Sequence, residues 1–411
     1  MVVHKIVPRL FTYGREHKMK TVIFFLFVLT CCVIYFYFLK NRNAQPPPNK
    51  KDTVRSKGFS PPAATKDATP QSLNVPEKPL DRIGPLRSHV SDGIKYILLS
   101  YKPEDPKSPL PLQRPEIKPD VIAKVKNHMG DMKEFSSFDE LSRLLDDPNV
   151  DMSKIAKKIS MDPVLSNKIL KVANSAYFGS NISVDSINHA LALLGLINIK
   201  AIMFHNAFSK KLSGSKIQNN PIYQSLWGHA ISTATCAFYL SEAFDGLNKG
   251  KLYTLGLVHD IGKFIIPEMS GTKNVDDYFM IPYGDKSCII REDSSFGINH
   301  AVIGRIAFEN SGLSEQLLKL IEYHHLPSFS SKSSFESKEE DKRYLSALYL
   351  ANQIAKLFAG EEERSFFSIQ PLPFSFGDFV DRSKLEKIFS DERVLSEIAK
   401  TKSLTESYIR P

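Results

Sequence analysis

Residues 257–263 read Leu-Val-His-Asp-Ile-Gly-Lys and place a His-Asp pair at the end of an apolar helical run. Side chains of successive residues in a helix point about 100° apart, but this separation is lost where a helix ends. An imidazole nitrogen of His259 and a carboxylate oxygen of Asp260 can then reach one divalent ion. The pair also fits a buried histidine followed by an aspartate that caps the next turn. The residues around the pair decide between these interpretations.

Histidines are concentrated around this pair. The chain has eleven, and five of them fall at predicted helix starts or ends: His229, His259, His300, His324 and His325. Combined with Asp260, they offer a set of imidazole and carboxylate ligands that suits iron, manganese or zinc and is too rich in nitrogen for calcium or magnesium alone. We therefore predict one or two divalent ions at these six residues. In a catalytic version of the site, Asp260 holds the ion that activates water, and Lys263 holds a substrate phosphate.

Composition indicates a globular protein with attachments. The chain has 411 residues, of which 42% are hydrophobic, enough to bury a sizeable core. Its formal charge is +9, but the positive residues crowd the first 60 positions, where they flank an apolar run and a Pro-rich tract. The basic residues of the remainder are not interleaved with aromatic residues on a discernible face. We therefore expect no specific nucleic-acid binding.

Residues 21–39 form an uncharged apolar run that ends in Tyr-Phe-Tyr-Phe-Leu. As a helix it would be about 28 Å long, close to the thickness of the hydrocarbon core of a bilayer. A signal peptide is the alternative, but no small-x-small cleavage site follows, and Lys40 and Arg42 resemble a stop-transfer flank. We predict a single-pass anchor. Basic residues are similarly frequent on both sides, so charge does not set its orientation.

Cysteine usage is consistent with a reducing compartment. Cys31 and Cys32 lie within the predicted anchor, which leaves Cys236 and Cys288 in the body of the chain. Both have mostly apolar neighbours in sequence and neither belongs to a Cys-x-x-Cys motif. A disulfide framework is therefore not expected.

The body of the chain is predicted to be all-α. Asp151 and Asp162 precede apolar-periodic helices as N-caps, Gly195 marks a positive-φ helix end, and residues 267–296 read as a loop. The predicted organisation is a basic N-terminus (1–20), a transmembrane helix (21–39), a Pro-rich and largely disordered linker (40–111), two helical halves (112–215 and 216–360) and a tail with short helices (361–411).

Two groups of motifs, in the expected order, resemble a known family. Trp227-Gly228-His229, residues 256–263, Phe296-Gly297-x-x-His300 and the pair at 324–325 resemble the HD superfamily of metal-dependent phosphohydrolases. Asp162-Pro163, the stretch 169–179 containing Asn-Ser-Ala, and the stretch 187–195 resemble the HDOD domain, a bacterial signalling relative of that superfamily. The resemblance covers about residues 112–330 and implies a helical HDOD or HD-type bundle.

The resemblance also implies roles for individual residues. His229, His259 and Asp260 match the ligands of one ion, and His300, His324 and His325 match those added in two-metal relatives. The sequence departs from the pattern at Asn352, which stands where the superfamily has its last aspartate and offers a neutral, weaker ligand. After residue 325 come Leu-Pro, and no Gly-Tyr-Pro motif follows. A cyclic-di-GMP phosphodiesterase of the HD-GYP type is therefore not expected.

By this resemblance, the chain is a bacterial signalling or regulatory module. It would be tethered to the inner (cytoplasmic) membrane by residues 21–39, with its HDOD domain facing the cytoplasm, and would bind an unknown signalling protein or nucleotide ligand without turnover. The alternative is a metal-dependent phosphohydrolase or phosphodiesterase of the HD superfamily. A third interpretation treats the histidines as capping and core residues only.

Overall fold

The fold was obtained as a computed structural model. It describes residues 83–99, 116–130, 149–175, 183–212, 220–269, 285–329, 337–359, 369–372 and 374–409, with isolated positions at 138, 140, 144, 147, 215 and 217. Every regular element in these ranges is a helix, which confirms the predicted all-α class. The predicted anchor at 21–39 and most of the predicted linker at 40–111 lie outside the described residues.

The first part of the fold contains five helices whose starts follow local capping chemistry. They are α1 (Ile83–Leu99), α2 (Pro119–Met129), α3 (Met152–Ser160), α4 (Pro163–Ala173) and α5 (Ile187–Lys211). The carboxylate of Asp151 accepts a hydrogen bond from the Ser153 backbone N–H, and that of Asp162 accepts from Val164 and Leu165. Both predicted N-caps are therefore present, because each satisfies backbone donors that the helix itself cannot.

Helix α5 changes direction at Gly195, where φ is 75° and ψ is 162°. The positive φ predicted at this glycine is present, and it separates two helical arms. Among the described helices, α5 is the one long and apolar enough to cross a bilayer. However, 56% of its apolar window is buried within the protein, as in the core helix of a globular domain. Its length and composition are thus weak evidence for a membrane span.

The second part of the fold carries the histidines. Its helices are α6 (Pro221–Leu240), α7 (Lys249–Val258), α8 (Gly262–Met269), α9 (Asp285–Phe296), α10 (His300–Phe308), α11 (Glu315–Tyr323) and α12 (Glu339–Leu357). Side chains of Asn220, Asn248, Asn299 and Ser314 cap four of them. The prediction of a loop over 267–296 is wrong at both ends. Residues 267–269 belong to α8, and 285–296 form α9, which buries Ile289 and Glu292 on one face.

Helix α6 lies at the centre of the packing and contacts α7, α12 and the C-terminal helix. The C-terminal part comprises α13 (Phe374–Gly377), α14 (Arg382–Ile388) and α15 (Glu392–Ile409). Helix α15 docks on α6 through a hydroxyl pair, Ser232 and Thr401, whose oxygens are 2.6 Å apart. One continuous hydrophobic core runs from Val90 to Ile398. It therefore crosses the boundary predicted near residue 215 without interruption.

Part of the predicted linker belongs to this core. Helix α1 packs on α12 and α15, and its residues Val90, Ile94 and Ile97 are buried. At its end, the carbonyl of Ile97 accepts a hydrogen bond of 2.9 Å from the Leu372 backbone N–H. The interpretation of 40–111 as a largely disordered tether is wrong for this stretch, since its apolar residues recur at helical spacing and find a partner surface.

An aromatic cluster joins α5 to α6 beneath the histidine-bearing region. Phe204, Phe208 and Phe264 surround Trp227, with ring centroids 5.0–6.0 Å from that of the indole. The ring of His205 lies 4.8 Å from Trp227, also measured between centroids. Burial, with a smaller effect of Lys168, lowers the pKa of His205 to about 3. His205 is therefore neutral in the folded protein at ordinary pH.

The docking of α1 predicts a contrast between two neighbouring residues. Ile97 is fully buried, whereas Tyr96 is 48% exposed. Ile97→Ala should lower the free energy of unfolding by about 2–4 kcal/mol, because it removes buried atoms and leaves a cavity. Tyr96→Ala should change it by about 0.5 kcal/mol or less. Denaturant titration measures both values, and equal effects would show that α1 does not pack on the core.

The environment of His205 predicts a pH dependence of stability. An unfolded histidine titrates near 6.5, so below that pH the unfolded state binds a proton that the folded state excludes until about pH 3. The contribution of His205 to stability is complete above 6.5 and falls by about 1.4 kcal/mol per pH unit below it. His205→Phe should reduce this slope by about one proton in unfolding experiments between pH 6.5 and 4. An unchanged slope would contradict the assignment.

Candidate metal centre

The stretch 257–263 folds as a tight turn between two helices. Helix α7 ends at Val258, and the His259 backbone N–H still donates to the Leu255 carbonyl at 3.0 Å. Helix α8 begins at Gly262. The Lys263 backbone N–H donates to the Asp260 carbonyl at 2.9 Å, which closes the turn between the two helices. The turn places both side chains on the same side: Nε2 of His259 lies 3.3 Å from Oδ2 of Asp260.

The carboxylate of Asp260 is the meeting point of the predicted site residues. Its Oδ2 accepts a hydrogen bond of 2.7 Å from the Lys263 ammonium. The nearest imidazole nitrogens come from four helices or helix ends. Besides His259, these are Nε2 of His229 at 3.7 Å from Oδ2, and Nε2 of His300 and His324 at 3.2 and 3.4 Å from Oδ1. The structure thus brings together residues separated widely in sequence.

His325 completes the set through a neighbouring ring. Its Nε2 lies 2.9 Å from Nε2 of His300. Ligand atoms of Asp260, His300, His324 and His325 all fall within 4.8 Å of one another, and so do those of His229, His259 and Asp260. The six predicted ligands therefore form two overlapping groups that share Asp260, an arrangement with room for one or two ions.

Hydrogen bonds to backbone carbonyls orient two of these rings. Nδ1 of His259 is 2.7 Å from the Gly256 carbonyl, and Nδ1 of His324 is 2.6 Å from the Ile321 carbonyl. Because a carbonyl can only accept, each Nδ1 carries the hydrogen, and Nε2 is directed inward toward Asp260. This orientation is typical of metal-ligating histidines, whose outer nitrogen is held by a backbone or carboxylate oxygen.

Several buried polar atoms in the centre touch one another without forming a well-aligned hydrogen bond. Nε2 of His259 and Nε2 of His324 lie 3.3 and 3.4 Å from oxygens of Asp260, but these nitrogens and Oδ1 of Asp260 make no hydrogen bond of good geometry among the described residues, and all are shielded from solvent. Unpaired buried polar atoms are costly, by about 1–3 kcal/mol each. Inward lone pairs that face a carboxylate, as His259 and His324 do on the two oxygens of Asp260, are what a divalent cation requires. The donor set therefore fits a metal, and its nitrogen and oxygen chemistry suits iron, manganese or zinc.

Glu292 controls the third ring. Its Oε2 lies 2.6 Å from Nδ1 of His300 and also accepts a hydrogen bond of 2.7 Å from the His300 backbone N–H. Burial lowers the pKa of His300, but Glu292 outweighs this effect, with a further contribution from Asp260, so the pKa lies well above its ordinary value. A positive charge on the His300 ring, which lies between Asp260 and His325, is thus favoured.

The remaining charges of the centre are set by burial and by Asp260. Burial raises the pKa of the Asp260 carboxyl, but His259 and Lys263 outweigh it and hold the pKa well below its usual range. Burial lowers the pKa of His229 and His325 well below the ordinary value, and that of His324 to about 4. The centre therefore combines a carboxylate with neutral imidazoles at His229, His324 and His325, the protonation states in which these groups bind metal.

Gly262 is required by the close approach of two backbones. A Cβ atom at this position would lie 1.9 Å from the carbonyl oxygen of His300. Real Cβ atoms do not come this close to a backbone oxygen, so only glycine allows the start of α8 to rest on the start of α10. This contact fixes the distance between Asp260 and His300.

Asn352 lies on α12, which packs on α6, the helix that carries His229. It is 3% exposed, and its Oδ1 has no hydrogen-bond partner among the described residues. Lys356 lies one turn later on the same helix face and is close enough to contribute to the lowered pKa of His229, after burial and the nearer charges. An amide and an ammonium on this side leave the centre less negative than an aspartate would.

Sequence reasoning missed Glu292. It lies in the stretch that read as a loop, and no motif marked it. The signal was its spacing of four from Cys288 and eight from His300, which only becomes informative once α9 is known to be a helix. Cys288 was likewise not predicted to have a polar partner, because its neighbours in sequence are mostly apolar. In the structure its thiol donates a hydrogen bond of 3.1 Å to Oε1 of Glu292.

Residues 136–327 match the family model of the HDOD domain. An uncharacterised protein of Treponema pallidum (strain Nichols) is 24% identical over 272 residues, which are 61% of this chain. The chain spans about half of the length of that relative, 48%.

Three solved structures are similar over much of this chain. An HDOD domain protein of unknown function from Geobacter sulfurreducens is 18% identical and covers 79% of this chain and 98% of its own, with a TM-score of 0.44. A Marinobacter aquaeolei protein, provisionally named a signal transduction protein, is 17% identical; the match covers 80% of this chain and 67% of that one, with a TM-score of 0.48. A Shewanella amazonensis protein, provisionally named a phosphohydrolase, is 19% identical; the match covers 71% of this chain and 98% of that one, with a TM-score of 0.43.

The close contact at Gly262 predicts a specific sensitivity of the centre. Gly262→Ala should lower the free energy of unfolding by about 2 kcal/mol, because the methyl group forces α8 away from the His300 carbonyl. It should also weaken metal binding, since Asp260 and His300 move apart. Gly377→Ala is the matched control, because its Cβ would meet nothing nearer than 4.0 Å. Equal behaviour of the two variants in calorimetry and metal titration would contradict this account.

Proposed function

We propose that this chain, in which residues 136–327 form an HDOD domain, is a membrane-tethered signalling or regulatory module that holds a divalent metal and acts by binding. The metal ligands are His229, His259, Asp260, His300, His324 and His325. Its ligand is a partner protein or a small nucleotide-like molecule, bound without turnover. The tether is the apolar stretch 21–39, and the domain faces the cytoplasm of a bacterial cell.

The burial of the metal ligands supports binding rather than catalysis. His259 and His300 are fully buried, and Asp260, His324 and His325 are at most 3% exposed. Metal sites with a structural role are closed by protein ligands, whereas catalytic sites keep a position open to water and substrate. A centre whose ligands are this deeply enclosed suits a metal that stabilises one conformation of the domain.

The state of Lys263 and the residue at 352 support the same proposal. The Lys263 ammonium donates to Asp260, and its side chain is only 17% exposed, so it orients the carboxylate instead of standing free for a phosphate. Asn352 provides an amide where a hydrolase of this superfamily would place a carboxylate. The first feature leaves the Lys263 ammonium engaged with Asp260 and not with a phosphate, and the second replaces a charged metal ligand by a neutral, weaker one.

The alternative function is a metal-dependent phosphohydrolase, and the completeness of the donor set favours it. Five imidazoles and one carboxylate are more ligands than a single structural ion needs. An ion bound there would lower the pKa of a coordinated water. In that case, Asp260 and the inward Nε2 atoms hold the ion, and Lys263 would have to leave Asp260 to meet a phosphate.

Metal analysis combined with an activity panel tests the proposal. We expect the full chain, purified without chelators, to retain metal, and to hydrolyse no nucleotide or phosphoester when manganese or iron is supplied. His324→Gln should lose metal, because it removes an inward Nε2, whereas His189→Gln should retain it because His189 is exposed.

Two outcomes would contradict this proposal in different ways. Turnover that is lost in His324→Gln and kept in His189→Gln would replace the binding function with the hydrolase. Absence of metal from the unmodified chain, with the fold intact by circular dichroism, would remove the metal centre itself and leave the histidines as structural residues.

A further inference from the structure

A second set of metal-binding side chains lies directly beside the centre. It consists of Cys288 and Glu292 on α9 and His300 at the start of α10. One ligand atom from each of the three falls within 4.8 Å of the others. Glu292 and His300 are fully buried, and Cys288 is partly exposed. Of these three residues, His300 was among the ligands predicted from the sequence, and Cys288 and Glu292 were not.

The two nitrogens of His300 face different donor groups. Nε2 lies 3.2 Å from Oδ1 of Asp260 and 2.9 Å from Nε2 of His325, inside the main centre. Nδ1 lies 2.6 Å from Oε2 of Glu292, whose other oxygen is 3.1 Å from the Cys288 sulfur. The ring therefore separates the main centre from a neighbouring group made of sulfur, oxygen and nitrogen.

We propose that Cys288, Glu292 and Nδ1 of His300 form a thiolate-containing metal site for zinc or ferrous iron, adjacent to the main centre. This extends the proposed metal-binding function, because the two sites share His300. The chemistry fits, since zinc accepts cysteine sulfur, histidine nitrogen and carboxylate oxygen together in four-coordinate sites. The same ligands bind cobalt(II), which therefore serves as a spectroscopic probe for zinc or iron at this site.

An ion would require the three ligands to adjust. Ligand atoms around a four-coordinate ion lie about 3–4 Å apart, given metal–ligand distances of about 2.0–2.3 Å. The contacts of 2.6 and 3.1 Å involve different oxygens of Glu292, and one ligand atom from each residue falls within 4.8 Å of the others, so an ion would move these atoms by up to about 1 Å. Three protein ligands leave one position of a four-coordinate ion for water or another ligand.

Binding displaces two protons, from the Cys288 thiol and from Nδ1 of His300, and releases them to solvent. If the main centre is occupied as well, His300 bridges the two ions as an imidazolate. The competing explanation is purely structural: Glu292 accepts hydrogen bonds from His300 and Cys288, orients the ring, and binds no metal. The two explanations differ in whether sulfur ever bonds to a metal.

Cobalt(II) titration of the metal-free full chain distinguishes them. Cobalt bound to nitrogen and oxygen gives visible ligand-field bands, and cobalt bound to thiolate adds an intense near-ultraviolet charge-transfer band. We expect both in the unmodified protein. Cys288→Ser should lose the charge-transfer band completely and keep visible bands, and Cys236→Ser, which changes a cysteine buried in the core, should keep both.

Three results would overturn the proposal or its basis. If the unmodified protein shows visible bands but no charge-transfer band, cobalt binds only at the main centre and the thiolate site is refuted. A band that persists in Cys288→Ser would assign it to another cysteine. Absence of all cobalt bands from a folded protein would refute the proposed metal-binding function as well. Circular dichroism of each variant excludes unfolding as the cause.

Discussion

The carboxylate of Asp260 is the interaction on which the arrangement of this domain depends. It is a buried charge that meets Lys263 at 2.7 Å and four imidazoles at 3.2–3.7 Å. A buried charge is tolerated only where charged or hydrogen-bonding groups compensate for lost hydration. The middle of α6 and the ends of three other helices are therefore constrained to meet around this carboxylate. That convergence, rather than any single histidine, defines the centre.

The surrounding fold explains how so many polar groups can be held together. Helix α6 runs through the core and carries His229, while α7 and α8 supply the turn with His259 and Asp260. The starts and ends of α10 and α11 bring His300, His324 and His325 from the opposite side. Outside the matched HDOD region, α1 packs on α12 and α15 packs on α6, and both enclose the same core.

Much of this was accessible from sequence because it depends on local rules. Capping by Asp151 and Asp162, the positive φ at Gly195 and the all-helical class follow from short-range chemistry. The grouping of His229 with His300 and His325 needed the family motifs as well, since spacing alone does not place distant helix ends together. Helix α1 was not predicted as a helix, because its apolar residues stand between Pro-rich stretches and their partner surface on α12 is distant in sequence. Glu292 and Cys288 were missed because their role depends on the neighbouring His300, not on their own segment.

X-ray absorption at the metal edge, on the full chain purified without chelators, tests the central claim that this is a metal centre built around Asp260. The account predicts a bound transition metal whose spectrum shows nitrogen and oxygen neighbours with the outer-shell scattering of several imidazoles. In Asp260→Asn that signal should be lost or strongly reduced. A folded protein that carries no metal, or one whose metal spectrum lacks imidazole scattering and is unchanged in Asp260→Asn, would contradict it.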